Sequence, residues 1–130
     1  MHKYSKQSLE KLTTAAKPLQ KLFLKAIEGS QDITILAGAR GQAEQDRAFN
    51  EGRSHVKWPS SRHNHFPSFA IDCAPYPIDW NNIESFKALS IHIFSCWDSL
   101  SNEDKEGYDL VWGGSWIHFK DYPHWEIIKK

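Results

Sequence analysis

Apolar residues recur at a helical spacing over three parts of the chain. Between residues 8 and 29 they return every three or four positions, as on one face of a helix. Pro18 interrupts this segment, so the pattern predicts two helices, or one kinked helix, ending near Gly29. Residues 82–100 show the clearest amphipathic pattern, and residues 41–52 predict a short helix that stops at a glycine.

Alternating and β-branched residues predict strands in the intervening segments. The predicted strands are 32–40, 69–75, YDLVWGG at 108–114 and HWEIIK at 124–129. The first is expected to break at Gly38 and the second to end at Pro75. Helices at the front of the chain and strands around the polar motifs predict an α+β fold, with residues 1–130 as one domain.

Composition and charge narrow the classes of function. Sixteen basic and sixteen acidic side chains cancel, so charge favours neither nucleic acid nor a membrane surface as a partner. The start of the chain lacks the apolar core of a signal peptide, and no run approaches the ~20 apolar residues of a membrane span. We therefore expect synthesis in the cytoplasm without membrane insertion. Cys73 and Cys96 lack metal-type spacing and are expected to be buried free thiols.

Histidines and aspartates cluster in two polar stretches, SSRHNHFPSFAIDCAPYP at 60–77 and DYPHWEII at 121–128. Asp72 lies inside a predicted apolar strand, where a carboxylate is costly unless it is paired or bound to metal. With His124 and one histidine of 61–65 it could form a three-ligand zinc site that keeps a fourth position for water. The alternative is a set of hydrogen-bonded structural histidines, because seven histidines in a short chain make chance combinations common.

The order of these motifs resembles a known family. The chain looks like the zinc D-Ala-D-Ala carboxypeptidases and L-Ala-D-Glu endopeptidases, which include VanX, VanY and several phage endolysins. The matching pairs are Ser61 with His63, Ala70 with Asp72, and Asp121 with His124. The segment with Arg40 and Gln45 resembles the family's upstream Gly-x-Arg region, and the likeness spans roughly residues 33–127.

The first histidine motif departs from the family's common spacing. That spacing, seven residues before the aspartate, would select His65, but Ser68 stands where the family has a glycine. The Ser-x-His motif fits only at His63, nine residues before Asp72. We interpret the difference as a turn two residues longer, restricted by Pro67, and so predict His63 as the ligand. His65 is the alternative; otherwise it is a loop residue or a substrate contact.

The resemblance implies both a fold and a mechanism. The fold would be N-terminal helices packed on a small antiparallel sheet that carries one zinc ion per chain. The implied ligands are His63, Asp72 and His124. Asp121 would transfer the proton of the attacking water, with Glu126 as the alternative base, and Ser61 would contact substrate or support the site. Arg40 would stabilise the oxyanion, the alternative being a structural ion pair.

The substrate implied is the peptidoglycan stem peptide. A compact chain without a wall-binding module resembles the phage endolysins, so we expect a monomer that cleaves L-alanyl-D-glutamate bonds. Release from the cytoplasm would then depend on a holin-type pore protein. Two alternatives stay open: a D-Ala-D-Ala carboxypeptidase or dipeptidase, and a zinc-bearing cell-wall binding module without catalysis.

Overall fold

The computed structural model describes residues 2–130 and confirms the α+β prediction. Four strands form one antiparallel sheet in the order β1-β2-β4-β3. The strands are β1 (Asp32–Ala37), β2 (Ala70–Tyr76), β3 (Tyr108–Trp112) and β4 (His124–Lys129). The α-helices are α1 (Lys6–Leu12), α2 (Lys17–Ala26), α3 (Gln42–Asn50), α4 (Ile83–Ser99) and α5 (Asn102–Lys105). Short 3-10 helices span Arg62–Asn64 and Gly113–Ser115.

The N-terminal pattern gives two helices rather than one kinked helix. Pro18 lies in the first turn of α2, where a backbone N–H has no partner within the helix, so the proline costs no hydrogen bond. Helices α2 and α4 pack together and α4 lies on the sheet. Fully buried members of this core include Leu19, Leu22, Phe23, Leu89, Ile93, Ile35, Ile71, Trp125 and Ile127. Each such side chain contributes about 1.5–3 kcal/mol through burial.

The predicted end of β2 at Pro75 is wrong, because the strand continues to Tyr76. Cys73 donates its N–H to the carbonyl of Pro123, on the side of β2 that faces β4. The nitrogen of residue 75 points the same way, since alternate residues of a strand face one side. β4 pairs with β2 only over 70–72, so the missing N–H of the proline removes no bond from the sheet.

Both cysteines are free and buried, as expected from the sequence. Burial raises the pKa of the Cys73 thiol, and the neighbouring Asp72 carboxylate raises it further. Cys73 therefore behaves as an apolar core residue rather than as a reactive thiol. Within residues 2–130, no helix is both long enough and apolar enough to cross a membrane.

Candidate active site

Three of the predicted site residues converge on one point at the sheet. The Asp72 Oδ1 atom lies 3.2 Å from His63 Nε2 and 3.2 Å from His124 Nδ1. Asp72 and His124 are direct cross-strand partners in β2 and β4, and His63 comes from the 3-10 helix at 62–64. All three candidate ligand atoms lie within 4.8 Å of one another. The structure thus brings together the predicted ligand set.

The two distances from Asp72 Oδ1 to the histidine nitrogens fit the ligands of a tetrahedral metal ion. Nitrogen and oxygen ligands at 2.0–2.1 Å from a tetrahedral zinc centre lie about 3.3 Å apart. The two histidine-to-carboxylate distances of 3.2 Å match that value. Two imidazoles and one carboxylate are also a donor set that catalytic zinc sites use, with one position left for water.

Local hydrogen bonds orient the His63 ring so that Nε2 faces the Asp72 carboxylate. His63 is 1% exposed, and its Nδ1 lies 2.7 Å from the carbonyl oxygen of Gly38. That contact requires Nδ1 to carry the proton, which leaves Nε2 as the lone-pair donor. The backbone is fixed as well, because Arg40 donates its N–H to the His63 carbonyl at 2.7 Å.

Gly38 can accept this bond because the chain passes very close to α1 there. A Cβ atom at Gly38 would lie 2.3 Å from both the Lys11 carbonyl oxygen and the Thr14 hydroxyl. Only glycine fits this approach. The strand break predicted at Gly38 is confirmed, since β1 ends at Ala37, and the break presents a carbonyl to the site.

Ser61 caps the 3-10 helix that carries His63. Its hydroxyl accepts the His63 N–H at 3.2 Å, and Asn64 Oδ1 accepts the Ser61 N–H at 3.0 Å in a capping box. Ser61 also lines the pocket above the cluster. The structure therefore gives it a positioning role, and a direct contact with substrate stays a prediction.

His65 lies outside the cluster. Its side chain is exposed and its ring is 5.0 Å from that of Phe69. Ser68, at the position of the family's glycine, is fully buried, and its hydroxyl donates to the Ala70 carbonyl at 2.9 Å. The interpretation of a longer turn that places His63 rather than His65 at the site agrees with this geometry.

Arg40 binds the second oxygen of the Asp72 carboxylate. Its Nη2 lies 2.6 Å from Asp72 Oδ2, and its Nη1 donates to Gln45 Oε1 at 3.3 Å. Gln45 is completely buried and donates to the Ser54 hydroxyl at 2.9 Å and to the Val56 carbonyl at 2.8 Å. This is the structural ion pair considered as the alternative for Arg40, and it aims Oδ1 at the cluster. Oxyanion stabilisation stays a prediction.

The charges around Asp72 keep its carboxyl group ionised. Burial alone would raise its pKa, but the imidazoles of His63 and His124 outweigh that effect and hold the pKa well below its ordinary value. An ionised carboxylate is the form that binds a metal ion. The protein therefore presents this ligand ready for binding across the neutral pH range.

Glu126 supports His124 from the side away from Asp72. Its Oε1 lies 2.7 Å from His124 Nε2, so the carboxylate fixes Nδ1 as the nitrogen that faces the cluster. Burial would lower the pKa of His124, but the two carboxylates raise it to about 9. The sequence left Glu126 as the alternative base. Its contact with the imidazole indicates an orienting role.

Asp121 lies in the tight turn that leads into β4. It donates its N–H to the Gly113 carbonyl at 3.0 Å and accepts the His124 N–H at 3.1 Å. A Cβ at Gly113 would come within 2.4 Å of the Asp121 carbonyl oxygen, so this turn requires a glycine. Burial, together with the charge of Asp72, raises the pKa of Asp121 from 3.8 to about 6. A carboxyl group with that pKa can accept and release a proton near neutrality.

Two cavities meet above the cluster. One contains the candidate ligands and is walled by Trp116, Phe119 and His55, whose ring stacks on that of Phe119 at 3.5 Å. The other is a groove of about 600 Å³ that runs past Asp121 towards Trp80. Residues lining both are Arg40, Arg53, Asp72, Phe119 and Asp121. A chain with its reacting bond over the cluster could therefore extend into the groove.

Sequence reasoning missed several residues that shape this site. It did not identify the Gly38 carbonyl, the contact of Gly113 with the Asp121 turn, or Arg53. The Gly-Gly pair at 113–114 before the second motif was a signal for a close approach. Arg53 carried none, because its place depends on how α3 ends.

Two known proteins that are similar to this chain are both named for the L-alanyl-D-glutamate bond. Escherichia phage T5 L-alanyl-D-glutamate peptidase is 36% identical over 130 residues, which cover 96% of this chain and 88% of that protein. Bacillus subtilis peptidoglycan L-alanyl-D-glutamate endopeptidase CwlK is 29% identical over 113 residues, covering 75% of this chain and 61% of CwlK.

The fold also has a solved counterpart. The crystal structure of Serratia marcescens L-Ala D-Glu endopeptidase ChiX matches with a TM-score of 0.76 at 22% identity, covering 98% of this chain and 90% of that chain. This match supports the fold. The family model described as phage L-alanyl-D-glutamate peptidase matches residues 1–129. The resemblance inferred from the motifs is confirmed, and the chain belongs to the phage L-alanyl-D-glutamate peptidase family.

Proposed function

We propose that this protein is a zinc endopeptidase that hydrolyses the L-alanyl-D-glutamate bond of peptidoglycan stem peptides. The observation that carries the proposal is the convergence of His63 Nε2, His124 Nδ1 and Asp72 Oδ1 beside the Asp121 carboxylate. The bond is the one in the names of the family and of its relatives from phage T5 and Bacillus subtilis.

The three ligand side chains would hold one zinc ion. When bound, zinc supplies Lewis acidity to the scissile carbonyl and lowers the pKa of water towards neutrality. Each ligand is held from behind: His63 by the Gly38 carbonyl, His124 by Glu126, and Asp72 by Arg40. Support of this kind maintains ligand orientation.

Asp121 is the proposed general base and acid. Its carboxylate would take a proton from the attacking water and deliver it to the leaving amine as the C–N bond breaks. In the metal-free protein burial raises the pKa of Asp121 to about 6, and a bound cation would favour the ionised form that accepts the proton of water. Glu126 is less suited to this step, because its carboxylate is bound to the His124 ring.

Arg40 is the proposed donor to the developing oxyanion. A guanidinium group carries five N–H donors, and Arg40 directs Nη2 to Asp72 and Nη1 to Gln45. The group also lines the pocket above the cluster. It can therefore hold the ligand carboxylate and still donate to a substrate oxygen.

The cellular setting is part of the proposal. We propose that the protein acts on the bacterial cell wall as a monomer, after synthesis in a host cytoplasm, and that a holin-type pore releases it. The relative from phage T5 supports an endolysin role. Lysis timing in cells with and without a co-expressed pore protein tests the dependence on release.

Digestion of purified sacculi tests the reaction. The zinc-loaded protein should generate new N-terminal D-glutamate, identified by mass spectrometry of the released peptides. His63→Ala should release none. Free D-alanine as the main product would assign the protein to the carboxypeptidases, and bound zinc without either product would favour a binding module.

A further inference from the structure

Arg53 lies where the pocket above the ligand cluster joins the longer groove. Its side chain lines both cavities, as do those of Asp121 and Asp72. A peptide with its reacting carbonyl at the cluster and its next residue in the groove would pass this guanidinium. Arg53 is therefore placed to contact the substrate residue beside the cleaved bond.

The end of helix α3 fixes the backbone at Arg53. Gly52 has a φ of 78°, and its N–H bonds to the Phe49 carbonyl at 3.1 Å. The Arg53 N–H bonds to the Ala48 carbonyl at 2.8 Å. This pair of bonds is a Schellman motif, which requires a left-handed residue and favours glycine there. The side chain thus extends from a defined point although it is 54% exposed.

The present partner of Arg53 is easily displaced. Its Nε and Nη2 lie 3.0 and 2.8 Å from Glu51 Oε1, in a pair exposed on both sides. Exposed ion pairs of this kind contribute little to stability. Glu51 does not line either cavity, so it does not occupy the space next to the cluster.

A glutamyl residue on the leaving side of the bond brings a negative charge to this place. Glutamate has two carboxyl groups, and continuation of the peptide uses only one of them. Resting on the function proposed above, we propose that Arg53 binds the remaining free carboxylate and so selects an acidic residue after the cleaved bond. Arginine suits this role because its planar fork matches a carboxylate.

The other arginines of the groove are less well placed. Arg40 is already bound to Asp72. Arg47 lines the groove but not the pocket at the cluster. Glu44 also lines the groove, and because it lies three residues before Arg47 on α3, the two side chains are neighbours of opposite charge. Arg62 also lines the pocket at the cluster, but it does not line the groove, and its guanidinium donates to the Ile127 carbonyl and lies over the Phe69 ring. Of the two arginines that line both cavities, Arg53 is the one that is not bonded to a candidate ligand.

The test uses two stem peptides that differ only in the free carboxyl group of the glutamyl residue, one as the acid and one as the amide. Zinc-loaded wild-type protein should cleave the acid with a kcat/KM about 10-fold or more above that of the amide, the scale of a charge-assisted hydrogen bond. Arg53→Gln should lower kcat/KM on the acid much more than on the amide, so that the preference for the acid is lost. Arg53→Lys should keep part of the preference.

Matched controls locate the effect. Lys17→Gln removes one exposed positive charge from α2 and should keep the wild-type preference. Loss of the preference in Arg47→Gln rather than Arg53→Gln would overturn the assignment, as would an equal loss on both peptides or no preference in the wild type. Cleavage of neither peptide by wild-type protein would instead overturn the proposed function.

Discussion

The ionised form of Asp121 should destabilise the metal-free protein. Burial and the charge of Asp72 raise its pKa from 3.8 to about 6. A carboxyl group with a higher pKa in the folded protein binds its proton more tightly when folded, so the penalty for ionising it is absent below pH ~4. The penalty grows as the pH rises and is complete above about 6. At about 1.4 kcal/mol per pH unit, it amounts to about 3 kcal/mol.

Asp121→Asn removes this charge with little change in shape. At pH 7 the metal-free variant should therefore gain up to about 3 kcal/mol in free energy of unfolding, and the gain should vanish towards pH 4. The same variant should lose ~10²-fold or more in kcat when loaded with zinc. Urea denaturation between pH 4 and 8 after chelation measures the first effect, with the exposed Asp46→Asn as control.

A metal ion at the cluster should reduce the stability that Asp121→Asn gains over wild type, because a cation near Asp121 favours its ionised form. The stability difference between wild type and Asp121→Asn should thus be smaller in zinc-loaded than in metal-free protein. A metal-free variant no more stable than wild type at pH 7, or a gain in stability that does not change with pH, would contradict this prediction. Nearly full activity in Asp121→Asn would reassign the base to Glu126.

Four other substitutions test the site. Glu126→Gln should keep the fold but weaken zinc affinity about 10- to 100-fold, because His124 loses the carboxylate that orients its ring. Competition with a chelator measures the zinc affinity. Gly113→Ala should lower both activity and thermal stability, since its Cβ would collide with the Asp121 turn; a variant as stable and active as wild type would contradict the close approach. His63→Ala should lose zinc whereas His65→Ala should retain it, as measured by metal analysis, and the reverse result would restore the shorter family spacing.

Local spacing was enough to predict most elements of the fold. Helix α4 and all four strands followed from apolar periodicity, because each buries one face against the same core. Helix α5 was not predicted, although Ser101 accepts the Asp104 N–H in a recognisable N-cap. The end of β2 was predicted at Pro75 rather than at Tyr76, because the sequence does not show how far β4 pairs with β2. That extent decides whether a proline at position 75 removes a hydrogen bond from the sheet.

The sequence was enough to predict the candidate ligand residues but not the groups that hold them in place. Motif order indicated the three candidate ligands, and Asp72 stood out as a carboxylate in an apolar strand. The supports depend on tertiary contacts that no local pattern encodes. The Gly38 carbonyl reaches His63 across 25 positions of sequence, and Arg40 reaches Asp72 across 32.

Anomalous diffraction at the zinc edge, from crystals of zinc-loaded protein, would locate the metal ion and its ligands. We expect one strong peak per chain, bonded at about 2.0–2.2 Å to His63 Nε2, His124 Nδ1 and Asp72 Oδ1. A peak held by His65, or no peak at the cluster in zinc-saturated crystals, would contradict this expectation.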